Sequence, residues 1–333
     1  MARGRQCATR RLAFPVEPPH RTARAACLPP AAAQDISPCV RRWPLAVGYA
    51  DAAFAHGIAT SRYEAAYDGF MRWIEPIASS IPYQVSPGNH ESECHSPECL
   101  LHYESQGRPL SNFSAFNARW AMPFRESGGT SNMWYSFELG PAHFVSVNTE
   151  TDWEGAGEEH TGDSHIPFLP AGGFGRKGEY LAWLERDLAA ADAARRGPEG
   201  RPWIIAGGHR PFREIERSHG ALFRKYGVDA YFAGHTHSYL RQEHPLYNGG
   251  GSGCRGCRGG RNDISMLEVI VGGAGCDEMQ QAPRSDARGH GLHTFATGRY
   301  ASGVLSLNRS TLHWRLVDAA DGIELDAVTR AKP

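Results

Sequence analysis

Three short stretches carry the side chains with the most chemical potential: Gly88-Asn89-His90-Glu91, Gly207-Gly208-His209-Arg210-Pro211 and Gly234-His235-Thr236-His237. Each follows an apolar run with strand character, namely Ile81 to Val85, Trp203 to Ala206 and Val228 to Ala233. Strands of common polarity in one sheet would bring these three turns together, because the chain leaves such strands at the same edge. Imidazole nitrogens and an amide oxygen suit a borderline divalent ion such as Zn²⁺, Mn²⁺ or Fe²⁺. Tyr49, in Val47-Gly-Tyr-Ala-Asp51, would add a phenolate and so favour a harder ion such as Fe³⁺. Two ions about 3.5–4 Å apart can clamp a phosphoryl group and make hydroxide from a bound water at mild pH. His90 would then stand outside the ligands, placed to stabilise a phosphate oxygen or protonate a leaving alkoxide. Histidines elsewhere, such as His143 and His244, fall in no such pattern and read as core or surface residues.

The elements that must position these groups alternate between helix and strand. Ser61 reads as the N-cap of a helix running to about Ser80, with Tyr63, Ala66, Tyr67, Phe70, Ile74, Ile77 and Ala78 on one face. A short helix is expected over Asn112 to Trp120. Met133 to Leu139 and His143 to Val147 alternate like a hairpin about Gly140-Pro141. Glu179 to Ala194 is amphipathic with Leu181, Leu184 and Leu188 inward, and Ser218 to Tyr226 is a further helix. Met266 to Val271 is a strand, and 303–307, 311–316 and 323–327 form a closing meander. That order predicts an α/β sandwich with mixed sheets.

The chain has 333 residues, enough for a substantial core, and a formal charge of −1. Such a balance gives no electrostatic reason to expect nucleic acid or a membrane surface as partner. No run approaches the roughly 18 apolar residues of a membrane span. Residues 1–43, rich in Arg, Ala and Pro, show no periodicity and read as a disordered or non-native segment without a visible signal peptide; residues 44–330 form the domain. Within it, 248–262 is a flexible Gly/Arg loop, and the polar stretch from Asp152 to Gly178 reads as a lid or substrate-facing insertion. The eight cysteines, including Cys94 with Cys99 and Cys254-Arg-Gly-Cys257, leave the redox compartment open. Asn112-Phe-Ser114 and Asn308-Arg-Ser310 are glycosylation sequons of consequence in a secreted protein.

Taken in order, Gly-Asn-His-Glu, Gly-His-Arg-Pro and Gly-His-Thr-His-Ser-Tyr resemble the calcineurin-like metallophosphoesterases, and specifically the purple acid phosphatases. The resemblance extends from about Val47 to Val328 and includes Arg119 to Phe124, Trp134 to Phe137 and Tyr226 to Asp229. It implies a four-layer αββα sandwich with two mixed β-sheets, a centre of Fe(III) plus Zn(II), Mn(II) or Fe(II), and hydrolysis of small phosphate monoesters at acidic pH. It also implies a secreted or vacuolar setting and a glycoprotein. Carried over by position, Asn89, His209 and His235 match ligands of the divalent ion, Tyr49 and His237 match ferric ligands, and His90 matches the catalytic outer-sphere histidine. His219 falls where the family often has a phosphate-contacting histidine.

The chain departs from the family at its start. The aspartate that bridges both metals is replaced by Ala46, and an earlier Asp-x-Gly ligand motif has no counterpart. Ions of charge +2 and +3 at bridging distance repel by tens of kcal/mol, on the order set by an effective dielectric near 20, and carboxylates offset that repulsion. The expectation is therefore a chain that holds at most one metal well and turns over slowly. The alternatives are a catalytically impaired pseudoenzyme or phosphate-binding protein, and a phosphodiesterase of the same superfamily; Tyr49 argues against the last.

Overall fold

The computed structural model describes residues 63–91, 104–105, 111–156, 173–195, 197, 200–245, 265–273 and 293–332. Tyr49, Ala46, the segment 1–43, both cysteine pairs, the loop 248–262 and residues 157–172 of the polar insertion lie outside the described residues.

Among the described residues four α-helices, α1 (Tyr63–Ala78), α2 (Ser114–Arg119), α3 (Glu179–Arg195) and α4 (Phe212–Tyr226), accompany ten strands. The strands are β1 (Tyr135–Leu139), β2 (Ala142–Ser146), β3 (Trp203–Gly207), β4 (Ala230–Ala233), β5 (Tyr239–Pro245), β6 (Ser265–Val271), β7 (His293–Thr297), β8 (Ala301–Leu307), β9 (Thr311–Asp318) and β10 (Glu324–Ala331). Seven of them form one mixed sheet in the order β1-β2-β3-β4-β6-β5-β7. At its centre β2, β3, β4 and β6 run parallel, with β1, β5 and β7 antiparallel to their neighbours. The central strands are apolar at nearly every position because both faces are covered.

One face of this sheet packs on the helices. Tyr67 and Ile74 of α1, Tyr180, Leu184 and Leu188 of α3, and Phe212, Ile215 and Phe223 of α4 share a core with Val145, Ile204 and Tyr231. The other face packs on the antiparallel sheet β10-β9-β8, where Phe144, Ile205, Phe232 and Val269 meet Leu305, Leu312, Trp314 and Leu316. Strand β9 alternates strictly between buried and half-exposed positions, as a strand with one core face must. Gly303 sits beneath Trp314, and a Cβ there would fall 1.7 Å from the indole, so a side chain is excluded.

The architecture is thus mixed α/β with two stacked sheets. Two details differ from expectation: the second sheet is antiparallel throughout its described strands, and a second helical layer is not among the described residues. Helix α4 begins well before Ser218, directly after Pro211, because Phe212, Ile215, His219 and Phe223 form one buried stripe that its charged residues obscure in the sequence. The last turn of α1 overhangs the core, so Ile77 is 52% exposed rather than inward. The expected strand Ile81 to Val85 pairs in no ladder among the described residues, although 85–88 are buried. Its Val85 carbonyl accepts the Tyr135 hydroxyl at 2.6 Å, and its amide points at Met122 Sδ at 3.4 Å. Strands β5 and β7 were not expected. In β5 the polar run Arg241-Gln-Glu243 hides the pattern, because Arg241 pairs with Asp326 of β10 and Gln242 with Glu268 of β6.

Candidate metal centre

Parallel pairing of β3 with β4 sets the site. Gly207 lies opposite Phe232, so the turns that follow the two strands emerge side by side. The Gly208 amide donates to the Phe232 carbonyl at 3.0 Å, and the Gly234 amide donates to the His209 carbonyl at 2.9 Å. His209 and His235 are thereby placed on adjacent turns. The third turn, a single 3₁₀ turn over Asn89–Glu91, closes against His209. A Cβ at Gly88 would stand 2.8 Å from His209 Nδ1, so this close approach requires glycine. The Gly88 amide donates to Glu91 Oε2 at 2.7 Å, which fixes the turn that presents Asn89.

Three donor atoms meet here. His209 Nε2 is 2.8 Å from Asn89 Oδ1 and 3.0 Å from His235 Nδ1, with the two imidazoles inclined at 77°. Two ligands each about 2.1 Å from one first-row divalent ion, and roughly perpendicular to each other, lie about 3 Å apart. The spacing and donor types therefore fit a single Zn²⁺, Mn²⁺ or Fe²⁺ ion. All three donors are neutral. Among the described residues no three His, Cys, Asp or Glu side chains cluster for a metal, so the site depends on the Asn89 amide. Asn89 and His209 are buried, and His235 is half-buried. His235 also adopts φ +54°, a left-handed conformation that a side chain other than glycine or asparagine takes at a cost of about 1 kcal/mol or more.

The other expected residues fall as follows. His90 is the middle residue of the 3₁₀ turn beside Asn89, and Tyr49 lies outside the described residues. His237 is half-buried at the end of the β4 turn, where Gly272 presses so close that a Cβ would stand 3.2 Å from the His237 Cα. His219 sits within α4, with no exposed surface. Its Nε2 meets the Tyr180 hydroxyl at 2.7 Å and its Nδ1 meets Ser218 Oγ at 2.7 Å, while Trp153 stands edge-on at 5.5 Å. Both ring nitrogens thus meet protein partners, and burial pushes its pKa down to about 3, which favours the neutral imidazole.

Residues that the sequence did not single out surround His209. Glu150 is fully buried and pairs with Arg210, and Tyr231 donates its hydroxyl to the Arg210 carbonyl. The available signal was position: Thr149-Glu150 follows β2, a parallel neighbour of β3, at the same sheet edge. A separate cluster lies at the β1–β2 hairpin. There His143 bridges Glu138 at 2.9 Å and Asp187 of α3 at 2.8 Å, beside a cavity of about 590 Å³.

Comparison with known proteins points the same way. Residues 53–239 match the family model described as calcineurin-like phosphoesterase. An acid phosphatase of Aspergillus ficuum is 30% identical over 332 residues, covering 81% of this chain and 52% of that protein. Acid phosphatase type 7 of Mus musculus is 34% identical over 237 residues, covering 64% of this chain and 44% of its own length. The chain therefore spans about half the length of these curated relatives. Among solved structures, purple acid phosphatase PPD1 from yellow lupin seeds superposes with a TM-score of 0.53 at 23% identity, covering 82% of this chain and 45% of that one.

Proposed function

This chain belongs to the calcineurin-like phosphoesterase family, and from that premise we propose that it is a metal-dependent acid phosphatase hydrolysing small phosphate monoesters. The observation that carries this reading is the convergence of Asn89 Oδ1, His209 Nε2 and His235 Nδ1 within 3.0 Å of one another's neighbour in the trio. A divalent ion held there would polarise a phosphoryl oxygen and make a bound water acidic. The protein's own contribution is positioning and charge. Three neutral donors leave the positive charge of the site intact, which draws in an anionic phosphate ester, and the burial of Asn89 and His209 keeps bulk water from competing. His90, next in chain to Asn89, is assigned the proton that the departing alkoxide needs.

Tyr49 and His237 are assigned to a ferric ion by resemblance. With Ala46 in place of the bridging aspartate, that side has lost the carboxylates that would offset the repulsion between two cations. The proposal is accordingly one well-held divalent ion and slow turnover, in a secreted or vacuolar setting. Among the described residues no helix is long and apolar enough to cross a membrane.

The test is hydrolysis of an aryl phosphate at mildly acid pH with Zn²⁺ or Mn²⁺ supplied. The expected result is slow, metal-dependent release of the phenol that His209→Ala abolishes and Ala46→Asp accelerates. Turnover that persists undiminished in His209→Ala would overturn the assignment of the site. Faster cleavage of a diester than of a monoester would transfer the protein to the phosphodiesterases.

A further inference from the structure

We propose that Glu150 is a positioning residue that holds His209 in place through Arg210; as a statement about metal binding, this rests on the reading of the site given above. The chain around His209 is pinned on both sides. Ahead of it, a Cβ at Gly208 would strike Thr149 Cγ2 at 2.7 Å and the Tyr231 hydroxyl at 2.9 Å, so the turn is pressed directly onto those two side chains. Behind it, the Arg210 amide donates to Thr149 Oγ1 at 3.2 Å, and the Arg210 carbonyl accepts the Tyr231 hydroxyl at 2.6 Å. The Arg210 guanidinium, 6% exposed, donates from Nε to Glu150 Oε2 at 2.9 Å. The second oxygen of Glu150, Oε1, accepts the Thr149 hydroxyl at 2.5 Å. One carboxylate therefore organises both the side chain of Arg210 and the hydroxyl that receives its amide.

Glu150 can do this because its own turn is rigid. Asn148 Oδ1 accepts the amides of Glu150 at 3.0 Å and Thr151 at 3.2 Å, and Asn148 Nδ2 donates back to the Thr151 carbonyl at 3.0 Å. Residues 148–151 are all buried. A buried pair of this kind adds little net stability, since desolvation offsets the attraction, but losing one partner strands the other charge. With Glu150 neutralised, Arg210 is drawn toward a second carboxylate, Glu214, which lies at 3.4 Å and is more exposed. That movement pulls on the residue bonded to His209.

The experiment compares Glu150→Gln with Asp326→Asn in the full chain. Asp326 forms a similarly buried pair with Arg241 at 2.6 Å, between β10 and β5, and serves as a control for simple loss of a buried ion pair. Two readouts are taken: amide hydrogen exchange without metal, and Zn²⁺ affinity by chelator competition well below the melting temperature. In Glu150→Gln the amides of Gly208, His209, Arg210 and Phe212 are expected to exchange at least tenfold faster while those of β3 are unchanged, and Zn²⁺ affinity is expected to fall roughly 10- to 100-fold, the range for supporting groups of metal ligands. Asp326→Asn is expected to move neither. Thr149→Val, which removes the hydroxyl but no charge, is expected to give the same pattern in milder form and serves if Glu150→Gln does not fold.

If Glu150→Gln and Thr149→Val behave as Asp326→Asn does in both readouts, the positioning role is overturned. If the wild-type chain binds no Zn²⁺ but 208–212 loosen selectively, the positioning stands and the metal reading falls. If Zn²⁺ binds and neither readout responds to Glu150, the reverse holds.

Discussion

His235 combines a left-handed backbone with a ring nitrogen proposed as a metal ligand, and the two can be separated by substitution. His235→Gly removes the strain as well as the imidazole. It is expected to melt at or above the wild-type temperature while Zn²⁺ binding is lost; a stable variant with unchanged affinity would remove His235 from the site. His219 makes the opposite case, with no exposed surface and both nitrogens bonded. His219→Ala is expected to cost about 2–4 kcal/mol of stability in a denaturant titration, from the cavity and the stranded Tyr180 hydroxyl, and to leave Zn²⁺ affinity as it was. These two residues also show what the sequence could and could not convey. His235 was legible because glycine and an apolar run fix where the chain turns. The surroundings of His219 were not legible, because its spacing from His209 says nothing about Trp153 and Tyr180, which pack on it from distant parts of the chain. Glu150 carries no motif at all, and its importance appears once β2 and β3 are seen to be neighbours.

At the scale of elements, the β1–β2 hairpin is tied to α3 by His143. Burial would lower the pKa of this imidazole, but the bonds to Asp187 and Glu138 outweigh it and raise the pKa to about 9. The ordinary value, near 6.5, describes the unfolded chain. The group therefore contributes its full stabilisation below about pH 6.5 and loses it as the pH rises through 9. Melting temperatures measured from pH 6.5 to 9.5 are expected to fall in the wild type and to stay nearly flat over that window in His143→Gln. Parallel curves would show that the link carries no such proton. The turn before Asn89 gives a second element-scale expectation. Gly88→Ala drives a Cβ against His209 Nδ1 and Glu91 Oε2, at 2.8 and 3.0 Å, so Zn²⁺ affinity should fall at least tenfold, read by chelator competition. Helix α1 could be read from its apolar periodicity and the central strands from their continuous apolar runs, whereas the charged residues of α4 hid its first turns. Ile81 to Val85 was read as a strand because the run is apolar; the bonds of Val85 to Met122 and Tyr135 in place of a ladder are tertiary facts.

At the scale of the whole molecule, the described residues place a helical layer and a three-stranded sheet on opposite faces of one seven-stranded sheet, and the candidate centre lies where β3 and β4 leave it. The sequence conveyed this class of fold through the order of its elements, and the family through its three turns. The proposal of a single cation rests on Ala46, which stands where the resemblance expects a bridging aspartate. Metal content per folded chain tests this account most directly. After equilibration with Zn²⁺ and iron and removal of excess, elemental analysis is predicted to give one divalent ion per chain, absent from His209→Ala. Two tightly held ions, or one that survives the loss of His209, would contradict it.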